Sequence, residues 1–389
     1  LKPDCAEAYV NLGNTLSALG RLDEAEVSCN QAIVLKPDLA EAHVNLGNTL
    51  RELGRLDEAI ASYSQAIALQ PDFSEAYLNF GLALQNVKFN SSNPKLYPLI
   101  TQIITAESFT RPIDIARSVL SLLTHDLQIR DLLLKRDFNF SLKESSGIIE
   151  RLDRLTLLHQ LMRLCPLPEL QFEGLFVALR SLLLKNLDKI EASSELIYFL
   201  SSLSIHCFIN EYVYFESDEE FLLIDELQAK ISQAVGQSEQ PEAIKILCLA
   251  SYRPLHQYDW CQKIKSLDYL EEVKSRLIEE PLLEKTIAKG IPTLEEISDD
   301  VSLKVRKQYE ENPYPRWMKT GACIKAKPVA TVFDELALKL HYEDIRNVTA
   351  PFILIAGCGT GQHSIVTASR FSDCHVTAVD LSLASLAYA

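Results

Sequence analysis

The feature that most constrains this chain is an internal repeat of 34 residues near its N-terminus. The segment NLGNTLSALGRLDEA begins at Asn11, the nearly identical NLGNTLRELGRLDEA begins at Asn45, and the shorter NFGLALQ begins at Asn79. A proline recurs with the same spacing, at Pro3, Pro37 and Pro71. Repeats of this length bury their apolar faces only by stacking on one another, so the pattern predicts a helical solenoid.

Small and large residues recur at fixed positions within each repeat. Gly47 and Ala59 lack bulk, so two antiparallel helices can approach closely, and Pro71 ends the second helix. The pattern resembles the tetratricopeptide repeat (TPR). In the second repeat it is carried by His43, Leu46, Gly47, Leu50, Ala59, Tyr63, Ala66 and Pro71. The resemblance implies a TPR solenoid over residues 1–89, with the pattern lost after Leu84.

A row of asparagines suggests what this solenoid binds. Helical spacing places Asn11 and Asn14 opposite the apolar stripe of the first helix. The later repeats supply Asn45, Asn48 and Asn79. Asparagine carries both a donor and an acceptor, so a stacked row can pair with an extended peptide backbone. Similar ladders line the concave groove of TPR proteins, so we expect a protein or peptide partner there. The alternative is a solvated helix face that only keeps the repeat soluble.

Residues 90–300 form the predicted all-helical middle domain. The segment NSSNPKLYP marks its start with residues typical of a linker, and helical apolar spacing follows, as at Leu152, Leu155 and Leu158. No catalytic constellation is recognisable in it. His125, His159 and His206 lie among apolar residues, which favours packed, hydrogen-bonded core histidines over ligands.

Two segments that are interrupted by proline allow more than one interpretation. LASYRPLHQYDW, residues 249–260, is either an aromatic contact for a ligand or the next domain, or a packed corner, and we favour the corner. KQYEENPYPRWM, residues 307–318, has Pro313 and Pro315 around Tyr314 and is therefore extended. It is either a lid over the following domain or a stiff strap between domains. It lies within residues 301–345, the predicted linker and helix before the last domain.

The stretch FILIAGCGTGQHS introduces that last domain, residues 346–389. The apolar run 352–356 predicts a buried strand, residues 362–371 predict a helix, and residues 375–379 predict a second strand. Ser382 is positioned to cap a further helix. This order is the opening βαβ unit of a doubly wound, Rossmann-like sheet.

The turn between the first strand and the helix carries Gly357, Gly359 and Gly361. Glycine lets the backbone bend sharply or lets a ligand lie directly on the main chain. The N–H groups at the start of the helix attract an anionic or electron-rich group. Asp380 follows the second strand, where a carboxylate can accept hydrogen bonds from a ribose diol. The turn and Asp380 together predict a nucleoside ligand.

The spacing of the glycines distinguishes two families of nucleoside-binding proteins. A dinucleotide fingerprint needs a small third residue, and that position holds Gln362. The G-x-G-x-G pattern instead resembles motif I of class I S-adenosylmethionine-dependent methyltransferases. The resemblance implies that S-adenosylmethionine is held by Gly357, Cys358, Gly359, Thr360, Gly361, Gln362, Asp380 and Leu381. It departs from the family at Ile355, where many members carry an acidic residue.

The arrangement of the whole chain resembles bacterial multidomain methyltransferases that carry TPR repeats. The resemblance implies a cytoplasmic enzyme whose repeats recruit a partner protein. The alternatives are a non-enzymatic scaffold with a vestigial Rossmann-like domain and a repeat-bearing glycosyltransferase. The chain opens at LKPD and stops before the later strands of the family's sheet. We therefore expect a fragment truncated at both ends that alone neither binds cofactor tightly nor turns over. The catalytic residues and methyl acceptor are not identifiable.

Composition excludes other classes of function. A net charge of −15 argues against non-specific binding to nucleic acid or anionic lipid, because both would repel the chain. Residues 195–215 are apolar but contain Glu195, His206 and Glu211, which favours buried helices over a membrane span. The nine cysteines are scattered singly, so neither a metal site nor a disulfide framework is predicted.

Overall fold

The structure is a computed structural model that describes residues 5–105, 110–135, 137–265, 270–294, 298–311, 313, 315–321, 326–336 and 343–389. The chain forms two compact units, one up to Arg130 and one from Asp131 onward. This division is coarser than the four segments predicted from the sequence, whose boundaries stay predictions.

The first unit begins with the predicted solenoid. Its helices are α1 (Ala6–Ala18), α2 (Leu22–Leu35), α3 (Ala40–Glu52), α4 (Leu56–Leu69) and α5 (Ser74–Leu84). The first helices of successive repeats, α1, α3 and α5, pack side by side. Helix α2 packs against α1 and α3, and α4 packs against α3 and α5. The odd-numbered helices therefore form one continuous layer, as expected for a helical repeat.

Close approach within a repeat depends on a glycine facing a large side chain. A Cβ on Gly47 would lie 2.5 Å from Cε1 of Tyr63. The Tyr63 side chain is fully buried, and its hydroxyl donates to Oδ1 of Asn48 at 2.8 Å. In the first repeat, a Cβ on Gly13 would lie 2.7 Å from Sγ of Cys29. Any larger residue at these glycines would push the two helices of a repeat apart.

The repeat pattern gives way after α5, which ends at Leu84 as the sequence predicts. The chain next forms a 3₁₀ turn, Pro94–Leu96, followed by α6 (Tyr97–Thr105) and α7 (Pro112–Leu123). Helix α7 packs against α5, and Thr110 lies where a Cβ on Gly81 would be. The last repeat is therefore covered by α7 and Thr110 rather than by the helices of a further repeat.

Helices dominate the second unit. They are α8 (Arg130–Leu133), which begins at the boundary, α9 (Leu142–Asp153), α10 (Thr156–Leu164), α11 (Leu170–Lys185), α12 (Ser194–Ile209), α13 (Asp218–Gly236), α14 (Ala243–Ala250), α15 (Glu271–Lys274), α16 (Glu280–Ala288), α17 (Asp300–Glu311) and α18 (Val329–Glu335). A π-helical stretch, Ser275–Glu279, joins α15 to α16. Shorter 3₁₀ turns lie at Leu187–Lys189, Leu255–Gln257, Cys261–Lys263 and Glu343–Asn347. None of the described residues between 90 and 300 lies in a strand.

Helix α12 is the centre of this unit and packs against α9, α10 and α14. Two fully buried histidines lie in this core. Nδ1 of His159 lies 2.9 Å from Oγ of Ser202, and Nε2 of His206 lies 2.7 Å from the hydroxyl of Tyr214. Both histidines are hydrogen-bonded core residues, as predicted. Burial, which penalises the charged imidazolium, lowers each pKa to about 4. Among the helices of the described residues, none combines the length and the hydrophobicity that a membrane span requires.

The end of the chain forms β1 (Phe352–Ala356), α19 (Gln362–Arg370), β2 (His375–Val379) and α20 (Leu383–Tyr388). The strands are parallel, with Phe352 opposite His375. Ser382 caps α20 by accepting from the backbone N–H of Ser385. The predicted strands and cap are confirmed, and α19 ends one residue earlier than predicted. A Rossmann-like sheet beyond these two strands stays a prediction.

The prediction that β1 is buried is wrong. The side chains of Phe352 and Leu354 are 86% and 68% exposed, while Ile355 on the other face is 8% exposed. The reason is that β1 and β2 form a two-stranded sheet among the described residues, with packing against one face only. A continuous apolar run does not reveal whether both faces of its strand are covered.

We predict that Gly47→Ala destabilises the first unit by about 1–3 kcal/mol, because the new methyl group would overlap the buried ring of Tyr63. Gly147→Ala is the matched control, since a Cβ at this glycine of α9 meets nothing within 4 Å. That substitution should stabilise its helix by up to about 1 kcal/mol. Urea unfolding compares the two variants. Equal effects would show that close packing does not require Gly47.

We also predict that acid weakens the second unit through His159 and His206. Their pKa values lie near 4 in the folded chain against 6.5 for an ordinary histidine, so the unfolded chain binds more protons between these values. The stabilisation is complete above pH 6.5 and is lost as the pH falls towards 4. His206→Gln should reduce the slope of unfolding free energy against pH by up to about 1.4 kcal/mol per pH unit. The control is Gln233→Ala, at an exposed position of α13 that carries no titratable group, which should leave the slope unchanged.

Candidate functional site

The turn between β1 and α19 requires its glycines. Gly357, Gly359 and Gly361 have φ values of 72°, 53° and 80°, in the left-handed region that glycine adopts readily. A Cβ on Gly357 or Gly359 would meet nothing within 4 Å, whereas one on Gly361 would lie 2.3 Å from Cβ of Ala389. The turn therefore has an open side at its first two glycines and a filled side at the third.

Hydrogen bonds inside the chain hold this turn in shape. The backbone N–H groups of Gly357 and Cys358 donate to the carbonyl of Val379, at 2.8 and 3.1 Å. The N–H of Gly359 donates to Oδ2 of Asp380 at 2.7 Å. Helix α19 starts at Gln362, and a helix begins with N–H groups that lack a partner within the helix. The donors that remain for a ligand are thus at the start of α19 rather than at the first two glycines.

Asp380 joins the ends of the two strands. Its Oδ2 accepts from Gly359 at the end of β1, and its Oδ1 accepts from the N–H of Ser382 at 2.9 Å. Each carboxylate oxygen has a second lone pair, so Asp380 can still accept hydrogen bonds from a diol. The neighbouring Leu381 is 42% exposed. The structure thus brings the predicted acid and the predicted turn together.

Cys358 is a poor candidate nucleophile. Its side chain is buried, and its Sγ makes a weak contact with the carbonyl oxygen of Gly359 at 3.6 Å. Burial, together with the negative charge of Asp380, raises the pKa of the Cys358 thiol. The thiol therefore stays protonated, and a protonated thiol is a weak nucleophile.

The sequence singled out residues 307–318 as a lid or a strap but did not show what they contact. The structure brings residues 315–319, which we call the strap, against the turn. The hydroxyl of Thr360 donates to the carbonyl of Pro315 at 2.8 Å, and Nε1 of Trp317 donates to the carbonyl of Thr360 at 2.8 Å. The side-chain amide of Gln362 donates to the carbonyl of Lys319 at 3.4 Å. The side chains of Thr360 and Gln362 are therefore engaged by the chain itself. Two residues of the segment KQYEENPYPRWM, Asn312 and Tyr314, lie outside the described residues.

The segment 249–260 forms a packed corner, as the sequence interpretation favoured. The hydroxyl of the buried Tyr252 donates to Glu220 at 2.6 Å, and Arg253 pairs with both oxygens of Glu216. The rings of Tyr258 and Trp260 stack at 4.8 Å. These aromatic residues contact their own unit.

The asparagine row has unequal access to solvent. Asn11 and Asn14 are exposed on α1, and Asn48 is partly exposed on α3. Asn45 and Asn79 are only 6% and 8% exposed. The side-chain nitrogen of Asn45 is buried and finds no hydrogen-bond partner among the described residues. The row therefore lies along the layer of α1, α3 and α5, with unsatisfied donor capacity at its middle.

The residues that the structure describes around the turn form no metal site. Within the described ranges, no three His, Cys, Asp or Glu side chains are grouped so that they could hold a metal ion. The described cysteines are free thiols, and Cys165, Cys207 and Cys248 are buried. The arrangement around the turn can bind and orient a ligand, and no group in it is identified as a proton acceptor.

Comparison with known proteins identifies the N-terminal region. Tetratricopeptide repeat models match residues 6–39 and 28–61, and a TPR repeat model matches residues 47–88. These matches confirm the predicted repeats. Residues 6–88 therefore contain TPR repeats, which indicate a protein-interaction module.

The other comparisons add little. The solved structure titled "Crystal Structure of P58(IPK) TPR Domain at 2.5 A" is 17% identical to the chain, with 79% of this chain and 82% of that chain covered. Its TM-score of 0.24 is too low to support an argument about the fold. No curated protein matches the chain in sequence.

Proposed function

We propose that this chain belongs to an S-adenosylmethionine-dependent methyltransferase whose TPR region recruits a protein partner. The observation that carries the catalytic part is the hydrogen bond between the N–H of Gly359 and the carboxylate of Asp380, at 2.7 Å. It joins a glycine turn after the first strand to an acid after the second. The TPR repeats do not indicate methyl transfer, a cofactor or a methyl acceptor. These parts of the proposal rest on the arrangement of the glycine turn and Asp380.

The residues around the turn fit such a cofactor. The open side at Gly357 and Gly359 leaves room for a ligand to lie on the main chain. The start of α19 favours a carboxylate such as that of the methionyl group. Asp380 keeps acceptor capacity for a ribose diol. When bound, S-adenosylmethionine would supply an electrophilic methyl group. The residues of this chain would bind the cofactor and orient it towards an acceptor.

One observation favours the alternative of a non-enzymatic scaffold. The N–H groups of Gly357, Cys358 and Gly359 already donate within the chain, so the turn is held without a ligand. A vestigial unit would keep these bonds and lose affinity for the cofactor. A measurement of ligand binding therefore distinguishes the methyltransferase from the scaffold. The shape of the turn does not, because it would be the same in both.

We predict saturable but weak binding of S-adenosylhomocysteine to the full 389-residue chain, with a Kd on the order of 100 µM. Gly359→Ala should weaken binding at least about tenfold, since the new methyl group fills the open side of the turn. Isothermal calorimetry measures both affinities. The matched control is Gly20→Ala, because Gly20 also has a positive φ of 72° and nothing within 4 Å of its Cβ. It should bind like the unchanged chain.

Two results would contradict this proposal. No saturable binding by the unchanged chain at millimolar ligand would remove the enzyme and leave the scaffold. Equal affinities for Gly359→Ala and the unchanged chain would place the ligand elsewhere. Sub-micromolar affinity would contradict the expectation of weak binding and leave the site itself supported.

We infer further that the asparagine row binds an extended segment of the partner. The exposed amides of Asn11 and Asn14 support this inference, because each can donate to a peptide carbonyl and accept from a peptide N–H. Asn14 and Asn48 occupy equivalent positions in successive repeats and are accessible to the same segment. Each amide carries both a donor and an acceptor, so accessible members of the row can pair with the backbone of an extended chain.

We predict that peptides selected from a random displayed library on the intact chain lose about tenfold in affinity for the variant Asn14→Ala/Asn48→Ala. The reason is the loss of two side chains that pair with peptide backbone, each worth about 0.5–1.5 kcal/mol. Fluorescence anisotropy with a labelled selected peptide measures the loss. The control is Asn30→Ala, an exposed asparagine on α2. Equal weakening by the control, or none by the double variant, would show that the row is only a solvated face.

A further inference from the structure

The geometry around the strap points to a positioning role: we infer that residues 315–319 hold the glycine turn in its binding shape and that Arg316 anchors them. The anchor reaches into the helical part of the second unit, so those helices govern the order of the turn. The consequence for ligand affinity rests on the proposed function, whereas the consequence for the turn itself does not.

The strap and the turn are joined by a reciprocal pair of hydrogen bonds. Trp317 donates to the carbonyl of Thr360, and Thr360 donates to the carbonyl of Pro315, each at 2.8 Å. Thr360 is only 3% exposed, so water competes little for either bond. The pair fixes both the backbone and the side chain of the residue between Gly359 and Gly361.

Tyr388 of α20 supports the strap from another side. Its hydroxyl donates to the carbonyl of Trp317, and its ring meets the indole edge-on, with centroids 5.6 Å apart and planes at 90°. An edge-to-face pair of this kind adds to the energy of burial. Trp317 is therefore held by its carbonyl, its ring and its indole N–H.

Arg316 connects the strap to the helices. Its Nε lies 3.3 Å from Oε1 of Glu211, which follows α12, and its Nη1 lies 3.1 Å from Oε1 of Glu284 of α16. The guanidinium also lies over the ring of Phe208, at 4.7 Å, and over the ring of Tyr388, at 5.3 Å. The side chain is 9% exposed. Arginine keeps its charge at any working pH, so removing it would leave two carboxylates without their partner.

The surroundings of this anchor have features typical of functional sites. Glu211 and Tyr212 both have positive φ values, 56° and 55°, which is costly for residues with a Cβ. The hydroxyl of Tyr212 and Nδ1 of His256 are buried and find no partner among the described residues. Both rings lie within 6.5 Å of the Phe208 ring, measured between centroids. Two residues with strained backbone and two buried polar atoms without a partner among the described residues therefore lie around one arginine.

A purely structural anchor would act differently from a positioning residue. Losing a structural anchor would weaken the whole second unit, including the distant parts of α12. Losing a positioning residue would loosen the turn and leave the helical core intact. Local amide exchange distinguishes the two, because it reports the opening of each segment separately.

The test is hydrogen–deuterium exchange on the full chain and on Arg316→Gln and Trp317→Phe. We expect exchange in residues 357–364 to accelerate about tenfold in both variants, with α12 protected as in the unchanged chain. Arg316→Lys keeps the charge and should recover part of the protection. Arg346→Gln is the control, since Arg346 makes an exposed ion pair with Asp334. Unchanged exchange at the turn, or equal acceleration throughout the second unit in both variants, would overturn the inference.

Ligand affinity provides a second readout. Trp317→Phe should raise the Kd for S-adenosylhomocysteine about tenfold, while Trp260→Phe, at the chain's other tryptophan, should not. If the exchange result holds and Trp317→Phe binds like the unchanged chain, the strap orders the turn without affecting the site, and positioning of the ligand is refuted. If the unchanged chain does not bind, the proposed function fails, and exchange alone decides the role of the strap.

Discussion

The contact between Gly359 and Asp380 is the interaction on which the candidate site depends. It ties the end of β1 to the end of β2 and so places a carboxylate beside a glycine turn. A charged acceptor strengthens such a bond about twofold over a neutral one. The same bond occupies the N–H group of Gly359, which could otherwise donate to a ligand. The site is therefore well ordered before any ligand arrives, and it offers the start of α19 and the spare lone pairs of Asp380 in place of the glycine donors.

The elements that could be predicted from the sequence are those that short-range patterns encode. The repeat was predictable because Gly13, Gly47 and Gly81 recur with the period of 34 residues, and helical repeats of this length bury their apolar faces by stacking. The first strand was predictable because an apolar run of five residues stops at Gly357. The second was predictable because His375 and Thr377 alternate with apolar residues in a short segment that stops at Asp380. Ser382 was predictable as a cap because serine before a helical segment can accept from its N–H groups.

The remaining features depend on contacts between residues far apart in the chain. Nothing near Trp317 in the sequence indicates that its indole N–H reaches Thr360, and nothing near Arg316 indicates a partner at Glu211. The exposure of Phe352 was missed for the same reason, since burial of a strand face depends on what packs against it. The buried amide of Asn45 likewise depends on how neighbouring helices close over it, and helical spacing cannot show that.

Order at the turn is therefore supplied by residues other than its three glycines. The glycines alone would leave a flexible loop, because glycine loses more conformational freedom on ordering than any other residue. Asp380 restrains one side of that loop, and the strap restrains the other through Thr360. Since Arg316 ties the strap to Glu211 and Glu284, the cost of ordering the turn is met by helices that contribute no residue to it. The helical region is thus physically part of the site, although it carries none of the site's sequence motif.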